Sequence, residues 1–213
     1  MKSRAISATM QYLTQTFVKE DFFAEIRNIG ETLYPGMQLS AYEAYMLHWL
    51  VRVSGAKRIL EIGSFVGYSA RWLARALPPD GTLVTLEKHP EHAALVRVHT
   101  QDDPRIQAVE AEAMAWLKTY SGTGFDFLFM DGEKRRYNEY LDAAMPHLTP
   151  EAWIVADNTL LFGALAGEAK KSVPDATITA MHQLNARLAD AAYFESCLLP
   201  TEEGLTIAKR RLV

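Results

Sequence analysis

From residue 58 onward the chain alternates short apolar runs with amphipathic segments, and this alternation narrows the possible folds more than any other feature. The runs RILEIG, TLVTLE, RIQAVE, FDFLFMD and AWIVADN are separated by GYSARWLARAL, HPEHAALVRVHTQ, AEAMAWLKTY and RRYNEYLDAAMPHL. Strand then helix, repeated, is the pattern of an α/β protein, because parallel strands need a crossover long enough to hold a helix. The strands are apolar throughout, as expected for a sheet covered on both faces by helices. A helix is expected over about residues 176–191. The runs YFESCLLP and GLTIAKR should then form an antiparallel hairpin around TEEG at the sheet edge.

The first 53 residues read differently, as a helical N-terminal extension. Residues 5–30 predict one or two helices marked by Phe17, Phe22, Phe23 and Ile26, and YPGMQLS breaks them at Pro35-Gly36. Ser40 with Glu43 three residues later predicts a capping box, opening a helix to about Val53 with Tyr45, His48 and Trp49 on or near its apolar stripe. The length of 213 residues and the lack of repeats or linkers predict one domain over residues 1–213.

Charge and cysteine usage limit the function classes. The net charge of -4 offers no global attraction to nucleic acid or membrane, although a local basic patch is compatible with it. Cys197 is the only cysteine, so no intramolecular disulfide and no thiolate metal cluster can form. It is expected as a small buried hydrophobe in a strand. The start MKSRAISATMQYLTQTF lacks the apolar run of a signal peptide, and no segment reaches the roughly 20 apolar residues of a membrane span. The expectation is a cytoplasmic protein without a membrane partner. Trp49, Trp72, Trp116 and Trp153 read as core or near-core residues, Trp72 with a second option of reaching a cofactor edge. His89, His92 and His99 read as one exposed helix.

EIGSFVGYS follows a strand and opens a helix, where glycines permit a tight turn and close backbone approach to a ligand. Gly63 and Gly67 are separated by three residues, which matches neither the dinucleotide fingerprint nor the Walker phosphate loop. A hydride-transferring dehydrogenase is therefore disfavoured. Glu87 ends the second strand, where a carboxylate can accept from both ribose hydroxyls, and Glu61 ends the first. An acidic cleft without a pyrophosphate cradle suits a cofactor with a ribose and a positive charge, namely S-adenosylmethionine. A ligand-free tight turn is the alternative.

Asp131 ends the run FDFLFMD, and Asp157 with Asn158 ends AWIVADN. Ligands of open parallel sheets bind beyond the carboxyl ends of the strands, so these side chains can converge. Two carboxylates and an amide oxygen are hard donors suited to Mg²⁺, Mn²⁺ or Ca²⁺ rather than zinc. The same aspartates also read as helix caps or turn residues. Lys134, three residues after Asp131, could take a proton from a bound hydroxyl, whereas Arg135 and Arg136 read as a solvated face.

At these residues the chain resembles the cation-dependent class I S-adenosylmethionine O-methyltransferases, the group of the catechol and caffeoyl-coenzyme A enzymes. The resemblance runs from about Gln38 to Lys209 and is carried by LEIGSFVGYSA, FMDGEKRRYNEYL, VADNTLLFG and LPTEEGLTIAKR, in that order. It implies a Rossmann-like class I methyltransferase fold, a mostly parallel seven-stranded sheet with an antiparallel edge hairpin. It also implies that Glu61, Gly63 and Ser69 meet the methionine part of the cofactor and that Glu87 holds its ribose. Glu112 and Ala113 would meet its adenine, with Asp131 also lining the cofactor. Asp131, Asp157 and Asn158 become ligands of a divalent cation, most simply Mg²⁺, with Lys134 as catalytic base. Phe162 and the N-terminal helices would shape the acceptor pocket, and a homodimer is implied.

The chain departs from the family pattern at Val66, at Ala111 and in TPEAW, without touching any metal or base residue. The implied reaction is methyl transfer to a hydroxyl of a catechol-like small molecule with vicinal oxygens. The alternative is methylation of 5-hydroxyuridine at the tRNA wobble position. That reading needs a basic patch, to which Lys2, Arg4, Arg135, Arg136, Lys170 and Lys171 could contribute.

Overall fold

A computed structural model describes residues 8–168, 172–201 and 203–211. They group into two compact units, Met1–Lys57 with Ser64–Glu110, and Arg58–Gly63 with Ala111–Val213.

The first unit opens with three helices, α1 (Ala8–Phe17), α2 (Ala24–Leu33) and α3 (Ala41–Ser54). The capping box forms as the spacing implies. The Glu43 amide donates to Ser40 Oγ at 3.2 Å, and the Ser40 amide donates to the Glu43 carboxylate at 3.0 Å. Two of the orphan donors at the helix start are thereby satisfied. The helix α4 (Tyr68–Ala76), strand β2 (Thr82–Glu87), helix α5 (Pro90–Thr100) and strand β3 (Ile106–Glu110) follow, and β2 pairs in parallel with β3.

Trp72 on α4 is only 1% exposed and receives the rings of Phe22, Phe23, Tyr45 and His48, mostly edge-on, at 5.7–6.3 Å between centroids. Such pairs add about 0.5–1.5 kcal/mol each beyond area burial. The Arg75 guanidinium lies 3.6 Å from the Phe22 ring centroid, and that of Arg71 lies 4.9 Å from the Phe23 centroid. Nearby, the buried Tyr68 hydroxyl donates to Asp21 at 3.0 Å, and Asp21 also pairs with Arg27 at 2.8 Å. The segment leading into α2 and the helix α3 are thus held to α4 by aromatic packing with a polar clasp beside it. Trp49 corrects the expectation of a core residue, since it is 55% exposed on α3. The α3 surface toward the core is filled by Ala44, Leu47, Leu50 and Val51, which leaves Trp49 on the outer side.

The second unit contains β1 (Arg58–Ile62), α6 (Ala113–Thr119), β4 (Phe125–Met130), α7 (Tyr137–Ala144), β5 (Leu148–Asp157), α8 (Asp175–Leu188), β6 (Phe194–Leu199) and β7 (Leu205–Arg210). β1 pairs in parallel with β4 and β4 with β5, whereas β5–β7 and β7–β6 are antiparallel. Phe125, Phe127, Leu128, Phe129 and Met130 on β4 are all fully buried. Burial on both faces is why this strand is apolar without alternation. The strand order of the sheet is β3-β2-β1-β4-β5-β7-β6, a Rossmann-like α/β arrangement that is mostly parallel with an antiparallel C-terminal edge. Cys197 corrects the expected buried position. It is exposed on β6, which has a strand neighbour on one side only and leaves Glu195, Ser196 and Cys197 in solvent. Among the described residues no helix is long and apolar enough to cross a membrane.

Candidate active site

In the second unit the carboxyl ends of β1, β4 and β5 bring together most of the chemistry that the sequence singles out. Gly63 follows β1 with φ +95°, and a Cβ there would lie 2.5 Å from the Asp131 carbonyl oxygen. Only glycine allows the two chain segments to pass this closely. The Asp131 amide donates to the Ile62 carbonyl at 2.9 Å, fixing the start of the turn after β4.

The turn then folds back as a short 3₁₀ segment, Lys134–Arg136, and returns Lys134 to the strand end. Lys134 Nζ lies 2.5 Å from Asp131 Oδ1 and donates to the Tyr137 hydroxyl at 2.8 Å. Tyr137, fully buried at the start of α7, donates its own proton to the Met130 carbonyl at 3.0 Å. Its hydroxyl can therefore only accept from the lysine. Burial, followed by the negative charges of Asp131 and Asp157, pushes the Tyr137 hydroxyl well above its ordinary range. Burial likewise raises the Asp131 carboxyl against the pull of Lys134. Tyr137 was missed in the sequence. Its signal was an aromatic one turn beyond Lys134, which reads equally well as an ordinary helix-face residue.

Asp157 ends β5, and the register Met130↔Ala156 sets it alongside Asp131. Asp157 and Asn158 are both buried, and Asn158 adopts φ +58°. The Asn158 side-chain nitrogen donates to the carboxylate of Glu203, also buried, from the turn between β6 and β7. Leu161 and Phe162 continue the left-handed backbone with φ +48° and +57°, and Phe162 is 47% exposed. Non-glycine residues held there cost about 1–3 kcal/mol each and cluster at functional sites. Among the described residues no group of three or more His, Cys, Asp or Glu side chains is arranged to hold a metal ion.

Glu61 is fully buried on β1, opposite Phe129. Glu112 caps α6, accepting from the Ala115 amide at 2.9 Å, and pairs with Arg136 at 2.7 Å, while Ala113 is the buried first residue of that helix. Arg136 also pairs with Glu139 at 3.0 Å, and Arg135 pairs with Glu133 at 3.1 Å. These arginines are compensated by neighbouring carboxylates. Lys2, Arg4, Lys170 and Lys171 lie outside the described residues.

The first unit holds the ribose candidate. Glu87 is buried at the end of β2, and each of its oxygens accepts one backbone N–H at 2.9 Å, from Phe65 and from His89. The carboxylate is thus fixed in place with acceptor capacity left over. Ser69 is buried in the first turn of α4. Ser64 Oγ is buried with no hydrogen-bond partner among the described residues, a state costing about 1–3 kcal/mol unless a ligand group completes it. The Phe65 ring stands edge-on to His92 at 4.9 Å and to Tyr34 at 5.9 Å. The three rings come from separate segments, which is why the sequence did not suggest the group. His92 and His99 also correct the expectation of an exposed helix. His92 Nδ1 lies 4.0 Å from Glu87, and His99 Nδ1 lies 2.7 Å from the Val66 carbonyl.

This geometry coincides with clear relationships to known proteins. The O-methyltransferase family model matches residues 14–211. Catechol O-methyltransferase from Niastella koreensis is 32% identical over 176 residues, covering 79% of this chain and 80% of that protein. Catechol O-methyltransferase from Mycobacterium tuberculosis is 36% identical over 162 residues, covering 74% of each. Among solved structures, the O-methyltransferase TomG from Streptomyces achromogenes, involved in tomaymycin synthesis and bound to SAM, superposes with a TM-score of 0.82 at 30% identity over 99% of both chains. The chain belongs to the O-methyltransferase family. It is a class I enzyme that uses S-adenosylmethionine as methyl donor and is related to the catechol and caffeoyl-coenzyme A group.

Proposed function

We propose that this enzyme methylates a hydroxyl of a small, catechol-like acceptor carrying two adjacent oxygens, with a divalent cation held by Asp131, Asp157 and Asn158 and with Lys134 as base. The observation that carries the reading is the meeting of Asp131 and Asp157 at neighbouring strand ends, with Lys134 Nζ 2.5 Å from Asp131. The names of the two catechol O-methyltransferase relatives support the acceptor class.

Two carboxylates and an amide oxygen fit an oxygen-preferring cation such as Mg²⁺, with Mn²⁺ or Ca²⁺ also compatible, and the amide is needed because the carboxylates alone are two. When bound, such a cation would hold adjacent acceptor oxygens and favour loss of a hydroxyl proton. S-adenosylmethionine supplies a methyl already activated on a sulfonium. Glu87 would accept from its ribose hydroxyls, Ser64 and Ser69 would meet its methionine part with Glu61 and Gly63, and the chain at Glu112 and Ala113 would meet its adenine. Lys134 takes the acceptor proton while the methyl carbon leaves sulfur for oxygen. Tyr137 holds the amine without offering it a competing proton, because its hydroxyl hydrogen is committed to Met130. Positioning of this kind supplies much of the rate when the reacting carbon is already activated.

The test is methyl transfer from S-adenosylmethionine to catechol with Mg²⁺ present and then with the metal chelated. Turnover lost on chelation and restored by Mg²⁺ supports cation and acceptor class together. Turnover that persists under chelation contradicts the cation.

A further inference from the structure

We infer that Glu203 is a positioning residue that turns the Asn158 amide so that its oxygen faces the divalent cation. The inference rests on the cation reading above. An asparagine presents a carbonyl oxygen on one side and an NH₂ on the other, and rotation about its last bond exchanges them. Only the oxygen can ligate a cation. Left alone, Asn158 has no means of choosing.

The structure supplies the choice. Asn158 Nδ2 donates to the Glu203 carboxylate, and both residues are buried. A carboxylate only accepts hydrogen bonds, so the opposite orientation would press two oxygens together away from water. With the NH₂ committed, the amide oxygen is directed away from Glu203. The negative charge behind the amide also polarises it, making the oxygen a better donor. Metal-ligating histidines backed by carboxylates gain orientation and basicity in the same way.

Backbone hydrogen bonds seat Glu203 and its neighbour. The Leu160 amide donates to the Glu203 carbonyl at 2.8 Å and the Thr159 amide to the Gly204 carbonyl at 3.0 Å. Gly204 has φ +83°, and a Cβ there would lie 2.4 Å from the Leu160 nitrogen. The turn between β6 and β7 is therefore seated directly on the residues that follow Asn158. Register continues the same alignment into the strands, where Asp157 faces Leu205. This gives Glu203 and Gly204 a role beyond closing the hairpin.

The experiment measures Mn²⁺ binding by calorimetry to protein saturated with S-adenosylhomocysteine. The variants are Glu203→Ala, Glu203→Gln, Asn158→Ala and the double variant Glu203→Ala/Asn158→Ala. Loss of such an outer partner weakens metal affinity by about 10–100-fold, so Glu203→Ala should lose about that much. Affinity for S-adenosylhomocysteine should stay near wild type. Glu203→Gln, nearly isosteric, should lose several-fold, because its own NH₂ permits the wrong amide orientation. This variant keeps the test decisive should the alanine variant fail to fold. In the Asn158→Ala background, Glu203→Ala should cost nothing further, since a positioning residue acts only through its partner.

Wild-type Mn²⁺ affinity in both single Glu203 variants would overturn the inference. Equal losses in the two backgrounds would also overturn it, showing direct contact with the metal instead. Wild-type protein that binds S-adenosylhomocysteine but no Mn²⁺ would sink the cation reading and Glu203 with it, an outcome plainly distinct from the other two.

Discussion

The helix face around Trp72 in the first unit and the strand ends around Asp131 in the second are both buried, but they are built from opposite materials. Around Trp72, four rings meet an indole, and two guanidinium groups lie against those rings. Around Asp131, a lysine, a buried tyrosine hydroxyl and a second carboxylate share one corner, with an asparagine backed by a glutamate beside them. The backbone just beyond is left-handed at Asn158, Leu161 and Phe162. The first region stabilises the fold. The second costs stability, since buried carboxylates and strained backbone are both unfavourable. A chain retains such a region for its chemistry.

That contrast can be broken by substitution. The largest effect is expected at Lys134. Lys134→Met keeps the reach of the side chain but removes the base, and kcat should fall by about 10²–10⁴-fold with little change in melting temperature. Steady-state kinetics beside a thermal melt checks this, and an unaltered kcat would remove Lys134 from the reaction. Trp72→Ala should show the reverse pattern. Removing a buried indole costs about 3–5 kcal/mol, so a denaturant titration should show a large loss of stability. If that variant melted like wild type, the aromatic cluster would not be what holds α3 and the segment leading into α2.

Tyr137→Phe sharpens the comparison, because it removes one hydroxyl from the polar corner. It leaves the Met130 carbonyl without that donor and Lys134 with one acceptor fewer. A stability loss of about 1 kcal/mol is expected, together with a drop in kcat and an unchanged affinity for S-adenosylhomocysteine. A lowered kcat at unchanged cofactor affinity marks positioning of the lysine. An unchanged kcat would leave Tyr137 a purely structural residue.

The smallest effect belongs to His48, within the aromatic region. Burial, then the charges of Arg75 and Arg52, lower its pKa below 6.5, although the Trp72 carbonyl partly opposes this. The unfolded chain therefore binds a proton more readily than the folded one. The stability linked to His48 is complete above about pH 6.5 and is lost as the pH falls from there through the folded value. His48→Gln should flatten this part of the stability–pH curve between pH 7 and 5, measured by melts across that range.

Much of this was readable along the chain. Apolar runs ending in Asp131 and Asp157 marked strand ends, and the sheet carries them to one corner because parallel strands present their carboxyl ends together. Ser40 and Glu43 marked a helix start through purely local chemistry. What escaped the sequence reading depends on contacts between distant segments. Glu203 meets Asn158 across 45 residues, through a hairpin whose seating on Leu160 no local pattern reveals. Trp49 and Trp72 look alike in sequence, and only the packing of α3 and α4 leaves one exposed and the other enclosed.

The strand-end carboxylates serve chemistry rather than the fold if the proposed reaction is right. The most direct measurement is Asp157→Ala, assayed for Mg²⁺-dependent methyl transfer to catechol while S-adenosylhomocysteine binding is followed on the same preparation. Turnover at background with cofactor affinity near wild type is the predicted result. Wild-type Mg²⁺-dependent turnover in that variant would contradict the assignment.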